Sequence, residues 1–149
     1  MGLTFVDTNI IAYARDCRQP LKQPLAEAWM KALAATRSGR ISTQVLIEFY
    51  SVATHPAKLA LPAAAAQADC RALQAWHPLA PDLALLESAW RLADRYGFSW
   101  WDALIVAAAL RQECTLLLSE DLQHNLVVDD RLTIIDPFAP DAPPPPAAS

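Results

Sequence analysis

Leu3-Thr4-Phe5-Val6-Asp7-Thr8-Asn9 decides the fold class of this chain. Leu3 to Val6 is a short strand of the buried kind. It ends on a carboxylate, and the Asp-x-Asn that follows suits the cap of a helix running on to Tyr13 or Ala14. The same grammar returns late in the chain. Thr115 to Leu118 is a continuous apolar run, as expected for a strand buried on both faces of a parallel sheet, and it ends at Ser119-Glu120-Asp121. Leu132 to Ile135 is a last strand.

Helices fill the space between these strands. Pro20 to Thr36 carries Leu25, Ala28, Trp29, Ala32 and Leu33 at helical spacing, and Ser38-Gly39 is expected to end it. Arg40 to Ser42 reads as a short strand or edge. Thr43 to Thr54 is a helix stopped by His55-Pro56. Pro62 to Trp76 is Ala-rich and helical, with the proline suited to its first turn. His77 to Leu79 is a weak strand between prolines. Asp82 to Tyr96 shows the clearest apolar face, an expected Glu87–Arg91 pair four residues apart, and Gly97 as its stop. Ser99 then caps Trp100 to Gln112, which is apolar nearly all round and therefore central. Short strands alternating with helices predict an α/β fold with a largely parallel sheet. The Pro/Ala-rich run 139–149 is expected to be a disordered tail behind a domain covering 1–138.

Four acids stand out against this apolar background: Asp7, Glu48, Asp102 and Asp121. Each lies in or against an apolar segment, where an unpaired charge is costly to bury. Each also has a plainer reading. Asp7 suits a helix cap. Ser99-Trp100-Trp101-Asp102 is a capping-box pattern. Asp121 competes with Glu120 in a turn. Glu48 is the hardest to explain structurally, because no basic residue lies three or four positions from it. Ligands in an α/β sheet bind beyond the carboxyl ends of the strands, where Asp7 and Asp121 belong, and Glu48 and Asp102 on early helical turns can converge there. Oxygen-rich clusters of this kind suit Mg²⁺ or Mn²⁺.

The remaining features narrow the chemistry. His55, His77 and His124 are scattered, and with three glycines in the chain there is no Gly-rich phosphate loop or covalent-hydrolase signature. Cys17, Cys70 and Cys114 are few, odd in number and widely spaced, which fits a reducing cytoplasm. No apolar run is long enough for a membrane span, and the N-terminus reads as lacking a secretory signal. The net charge of −4 does not exclude nucleic acid. Of the 16 acids, setting aside the four candidates leaves 12 against 12 Lys and Arg, and bound cations would offset the rest.

In four places the sequence resembles the motifs of the PIN domain family, and in particular its small bacterial toxins of the VapC type. Phe5-Val6-Asp7-Thr8-Asn9-Ile10-Ile11-Ala12-Tyr13 resembles the first acidic motif, and Ser42-Thr43-Gln44-Val45-Leu46-Ile47-Glu48-Phe49 the second. Phe98-Ser99-Trp100-Trp101-Asp102-Ala103-Leu104-Ile105 resembles the third. Leu117-Leu118-Ser119-Glu120-Asp121-Leu122-Gln123-His124 resembles the fourth, which selects Asp121 over Glu120. A glycine is usual after that run, and Asn125 stands there instead, a residue that tolerates left-handed backbone.

The resemblance implies a three-layer α/β/α fold with a short, mostly parallel central sheet and a metal-dependent endoribonuclease. Asp7, Glu48, Asp102 and Asp121 would hold Mg²⁺ or Mn²⁺, supported by Asn9 and Ser119. Arg15, Arg18, Arg37 and Arg40 are candidates for holding RNA, since they lie near the expected rim. Implied partners are the RNA substrate, a small cognate antitoxin protein and a second copy of the chain in a homodimer, with no membrane. Dimerisation is expected through the helices at 20–36 and 62–76. Two rivals remain at this stage. One is a non-catalytic PIN-like scaffold. The other is a haloacid-dehalogenase-like phosphatase, which wants an aspartate where Asn9 stands.

Overall fold

A computed structural model of the chain describes residues 2–147. The last two positions of the expected tail, Ala148 and Ser149, fall outside the described residues. Strand β1 (Leu3–Val6) leads into α1 (Thr8–Ala14), with Asp7 between them in extended conformation, its side chain accepting the Thr8 N–H. Helix α2 (Lys22–Thr36) follows, then β2 (Gly39–Arg40), α3 (Thr43–Thr54), α4 (Ala63–Ala72) with a 3₁₀ turn (Leu73–Trp76), α5 (Leu83–Tyr96) and α6 (Trp100–Arg111). Strands β3 (Cys114–Leu118), β4 (Val127–Val128) and β5 (Leu132–Ile135) complete a five-stranded sheet in the order β2-β1-β3-β5-β4.

Every pairing is parallel except β4 with β5. The first crossover carries the chain from β1 outward to β2, whereas all later strands lie on the other side of β1. Right-handed crossovers in opposite directions put their helices on opposite faces of a sheet. Helices α1 and α2 thus cover one face, and α6, packed along β3, covers the other, giving the three layers expected. Helix α6 is buried from Ala103 through Leu110, which explains its apolar character on every side.

Several local expectations need correction. Arg37, not Ser38-Gly39, ends α2, taking the left-handed conformation at φ 55°. Gly39 instead lies within β2 because the Trp76 ring packs where a side chain would stand, 2.3 Å from an ideal Cβ. The weak strand at 77–79 reduces to a single parallel bridge between Leu79 and Ser42. Strand β4 has no counterpart in the sequence reading, since two residues cannot establish a period. Arg91 does not pair with Glu87. It reaches Asp129, 2.7 Å away, whose left-handed backbone brings a carboxylate already bound by Tyr96 within range.

Residues 139–142, assigned to the tail by composition, contact the domain. Asp141 accepts from Asn125, bonds the His124 ring at 2.8 Å, and is followed by Ala142 packed against the core. Among the described residues no helix is long and apolar enough to cross a membrane.

Candidate active site

The strand order reverses between β1 and β3, and loops diverge there to leave a crevice at the carboxyl ends of the strands. Asp7 closes β1 at this point and Ser119 closes β3. Their backbones are locked by Asp7 N–H to the Leu118 carbonyl (3.0 Å) and Ser119 N–H to that of Ile135 (3.0 Å). The Ser119 hydroxyl, fully buried, donates to Asp7 Oδ2 at 2.8 Å.

The cavity above them has a volume of about 720 Å³, and Asp7, Glu48, Asp102 and Asp121 all line it. The four acids therefore share one space. Glu48 is held at both oxygens: Thr8 Oγ1 donates to Oε2 at 2.9 Å and Gln44 Nε2 to Oε1 at 2.7 Å. Gln44 also reaches the Trp101 carbonyl at 3.2 Å, tying α3 to the first turn of α6. Asp102 stands in that turn, its backbone N–H capped by Ser99 Oγ. Asn9 donates to Asp121 Oδ2 at 3.1 Å and accepts the Glu120 N–H at 3.2 Å, so one amide fixes the whole Ser119–Asp121 turn.

The competition between Glu120 and Asp121 is resolved by charge. Glu120 turns away to Lys22 (2.6 Å) and the Tyr13 hydroxyl (2.8 Å), which leaves Asp121 on the cavity. Lys22, which also lies over the Tyr13 and Phe138 rings, is too remote in sequence for this role to be read there.

The four acids share one cavity, and among the described residues none of them forms an ion pair with Lys, Arg or His. Burial pushes the Asp7 carboxyl up to about 6, against the bonds from Ser119 and Thr8, and the charges of Glu48 and Asp102 add to the rise. Asp102 is also raised, chiefly by burial, with Asp121 and Glu48 contributing.

A divalent cation fits this donor set. It would supply the positive charge that the protein withholds, to oxygen ligands of the hard type. Among the described residues no three such side chains are already drawn into one chelating group. Mg²⁺ retains several of its own waters and needs few direct protein oxygens, so an open ring of carboxylates still suits it.

The structure divides the four arginines. Arg18 lines the cavity, held by two bonds to Asp16. Arg15 faces α4 and pairs with Asp69 at 2.8 Å. Arg37 lines a different cavity, beside Trp76 and His77, and Arg40 turns back onto the Arg37 and Gly39 carbonyls. Position near an expected loop did not reveal which edge of the sheet each loop occupies. Lys58, which the sequence reading passed over, does line the cavity. Thr8 and Gln44 were also missed as Glu48 partners, although Gln44, one helical turn before Glu48, carried a usable signal.

The PIN domain model matches residues 4–128, well over half of the chain. The chain belongs to the PIN domain family. Among solved structures, this PIN domain is similar to VapC20 of Mycobacterium tuberculosis, described as a sarcin-ricin loop cleaving toxin. The two are 23% identical, with a TM-score of 0.54, over 79% of this chain and 91% of that one. At that identity the likeness shows a shared fold. No curated protein matches the chain by sequence. Membership of the PIN family sets aside the haloacid-dehalogenase rival.

Proposed function

We propose that this PIN domain is a metal-dependent endoribonuclease and the toxin of a toxin–antitoxin pair. The observation that carries the reading is the set of four acids around one cavity at the sheet's switch point, none paired to a cation. Asp7, Glu48 and Asp102 are the proposed ligands of Mg²⁺ or Mn²⁺, with Asp121 completing the site. The cation supplies Lewis acidity, activating water for attack and offsetting charge on the phosphoryl group. Ser119 and Thr8 hold Asp7, Thr8 and Gln44 hold Glu48, and Asn9 holds Asp121, so three of the four carboxylates are oriented by the chain itself. Of the four arginines, Arg18 is the one on the cavity wall, where Asp16 already engages its guanidinium.

VapC20 is described as a toxin that cleaves the sarcin-ricin loop. For the present chain, the partner proposed is a small antitoxin that presents an Arg or Lys to the acidic cavity. A cation on a side chain can satisfy the carboxylates without supporting chemistry. A two-fold dimer is the proposed assembly. Helix α4 buries Ala66 and presents mainly small residues, which offers a partner little. The stronger surface is an apolar groove of about 750 Å³ between α3, α5 and α6, lined in part by exposed Ile47 and Trp101. The three free thiols suit a cytoplasmic setting.

The test is cleavage of RNA by the purified chain with Mg²⁺ or Mn²⁺, with EDTA, and in Asp102→Asn. Expression alone and with the neighbouring open reading frame, followed by mapping of 5′ ends, then reads the toxin role. Cleavage that survives EDTA or Asp102→Asn would sink the metal mechanism. Absence of cleavage with metal bound would favour the scaffold reading.

A further inference from the structure

We propose that Lys58 binds a substrate phosphate beside the acidic cavity, and that the 55–61 loop is built to hold it there. This rests on the nuclease reading above and adds to it a residue outside the four acidic motifs. Five acids line the cavity, namely Asp7, Asp16, Glu48, Asp102 and Asp121, against two cations, Arg18 and Lys58. A polyanion entering such a space is repelled unless positive charge marks its path. Asp16 engages Arg18 through both carboxylate oxygens, at 2.9 and 3.2 Å, and largely neutralises it. Lys58 is exposed and, among the described residues, has no ion-pair partner. It is the cation at this cavity whose charge is left for a ligand.

Its backbone is not a loose tether. The His55 carbonyl accepts from both Lys58 N–H (3.0 Å) and Ala60 N–H (3.1 Å), and His55 Nδ1 accepts from Ala57 N–H at 3.0 Å. Leu61 N–H returns to the Ala53 carbonyl at 2.8 Å, and Leu59 and Leu61 pack against the core on either side of Ala60. Ala60 is left-handed at φ 51°, a conformation unfavourable for a residue with a Cβ. The contacts on both sides maintain it. A lysine on a braced loop loses less freedom on binding than one on a floppy segment.

The rival role is internal: Lys58 could act as a counter-ion for the carboxylates, competing with metal. The two roles separate experimentally in the full chain. Binding of a fluorescent single-stranded oligoribonucleotide is measured by anisotropy across a salt series, using the non-cleaving Asp7→Asn protein with and without Lys58→Met. Mn²⁺ binding is measured by calorimetry for the Lys58 variant in the otherwise native chain. The expected result is about tenfold weaker RNA binding, a salt slope shallower by about 0.7, the share of one phosphate contact on a single strand, and unchanged Mn²⁺ affinity. Lys58→Arg should restore binding. Lys31→Met, on exposed α2 surface, should match the parent protein. An unchanged salt slope with tighter Mn²⁺ binding would overturn the proposal in favour of the counter-ion role, while leaving the nuclease reading intact. If the native chain neither binds nor cleaves RNA with Mn²⁺ present, the nuclease reading itself fails and the role of Lys58 with it.

Discussion

Acids in two regions of this protein behave in opposite ways. At the cavity, Asp7 and Asp102 are raised, chiefly by burial, and among the described residues no side-chain cation pairs with them. Away from that ring, several aspartates are answered: Asp82 by Arg111, Asp129 by Arg91, and Asp141 by His124, and all three carboxyls are held low mainly by those bonds. Even Asp16, on the cavity wall, and Glu120, next to Asp121, have their own partners in Arg18 and Lys22. Among the described residues, the acids outside the ring that lack a cation are exposed, as are Glu87, Asp94, Glu113 and Asp130, or accept a backbone N–H, as Asp136 does from Phe138. Acids gathered around one cavity, two of them raised by burial, fit the proposal that charge is supplied there from outside the chain.

The sharpest way to break the contrast is Asp7→Asn. Metal-dependent cleavage should fall to background in a gel assay, while circular dichroism stays native. In the metal-free protein the same change should stabilise. An acid whose folded pKa is raised from 3.8 to about 6 binds more protons folded than unfolded between those values, so stability falls as pH rises through that window. Asp7→Asn should remove this slope and raise unfolding stability at pH 7 by about 3 kcal/mol, readable by urea denaturation at pH 4.5 and 7. An unchanged slope would mean that Asp7 is not the group responsible.

Ser119→Ala probes the support rather than the charge. Loss of the 2.8 Å bond to Asp7 should lower metal affinity or activity by about 10- to 100-fold, the usual scale for a group that orients a ligand. It should also raise the Asp7 carboxyl further. A variant with native Mn²⁺ affinity and native rate would remove Ser119 from the site.

The smallest effect belongs to the paired region. Asp129→Ala deletes the bonds to Arg91 and Tyr96 and leaves alanine at φ 51°. Stability should drop by about 1–2 kcal/mol, discounted because Arg91 is half exposed, with cleavage unaffected. The pH dependence has the opposite sign to that of Asp7. Asp129, held low by Arg91, contributes stability above the ordinary carboxylate range that is lost as pH falls through its depressed pKa. If Asp129→Ala abolished cleavage, the division into an answered and an unanswered region would collapse.

The α/β class, the strand at Leu3–Val6 and helix α3 at Thr43–Thr54 were legible in the residues alone, as was the choice of four candidate acids that the fold brings to one cavity. Periodicity, capping residues and stops are local signals, and each is readable over a few residues. Only the tertiary structure decided which acids are answered. Asp121 faces the cavity because Lys22, nearly a hundred positions earlier, takes Glu120, and Arg91 leaves its helical neighbour Glu87 for Asp129. The same holds for the cations: Arg37 and Arg40 fall away from the site, and Lys58 arrives there on a loop whose conformation no local motif announces. The physical reason is range. Caps and periods act along a turn or two of chain, whereas a carboxylate's partner is whichever cation the packed layers bring within a few ångströms of it.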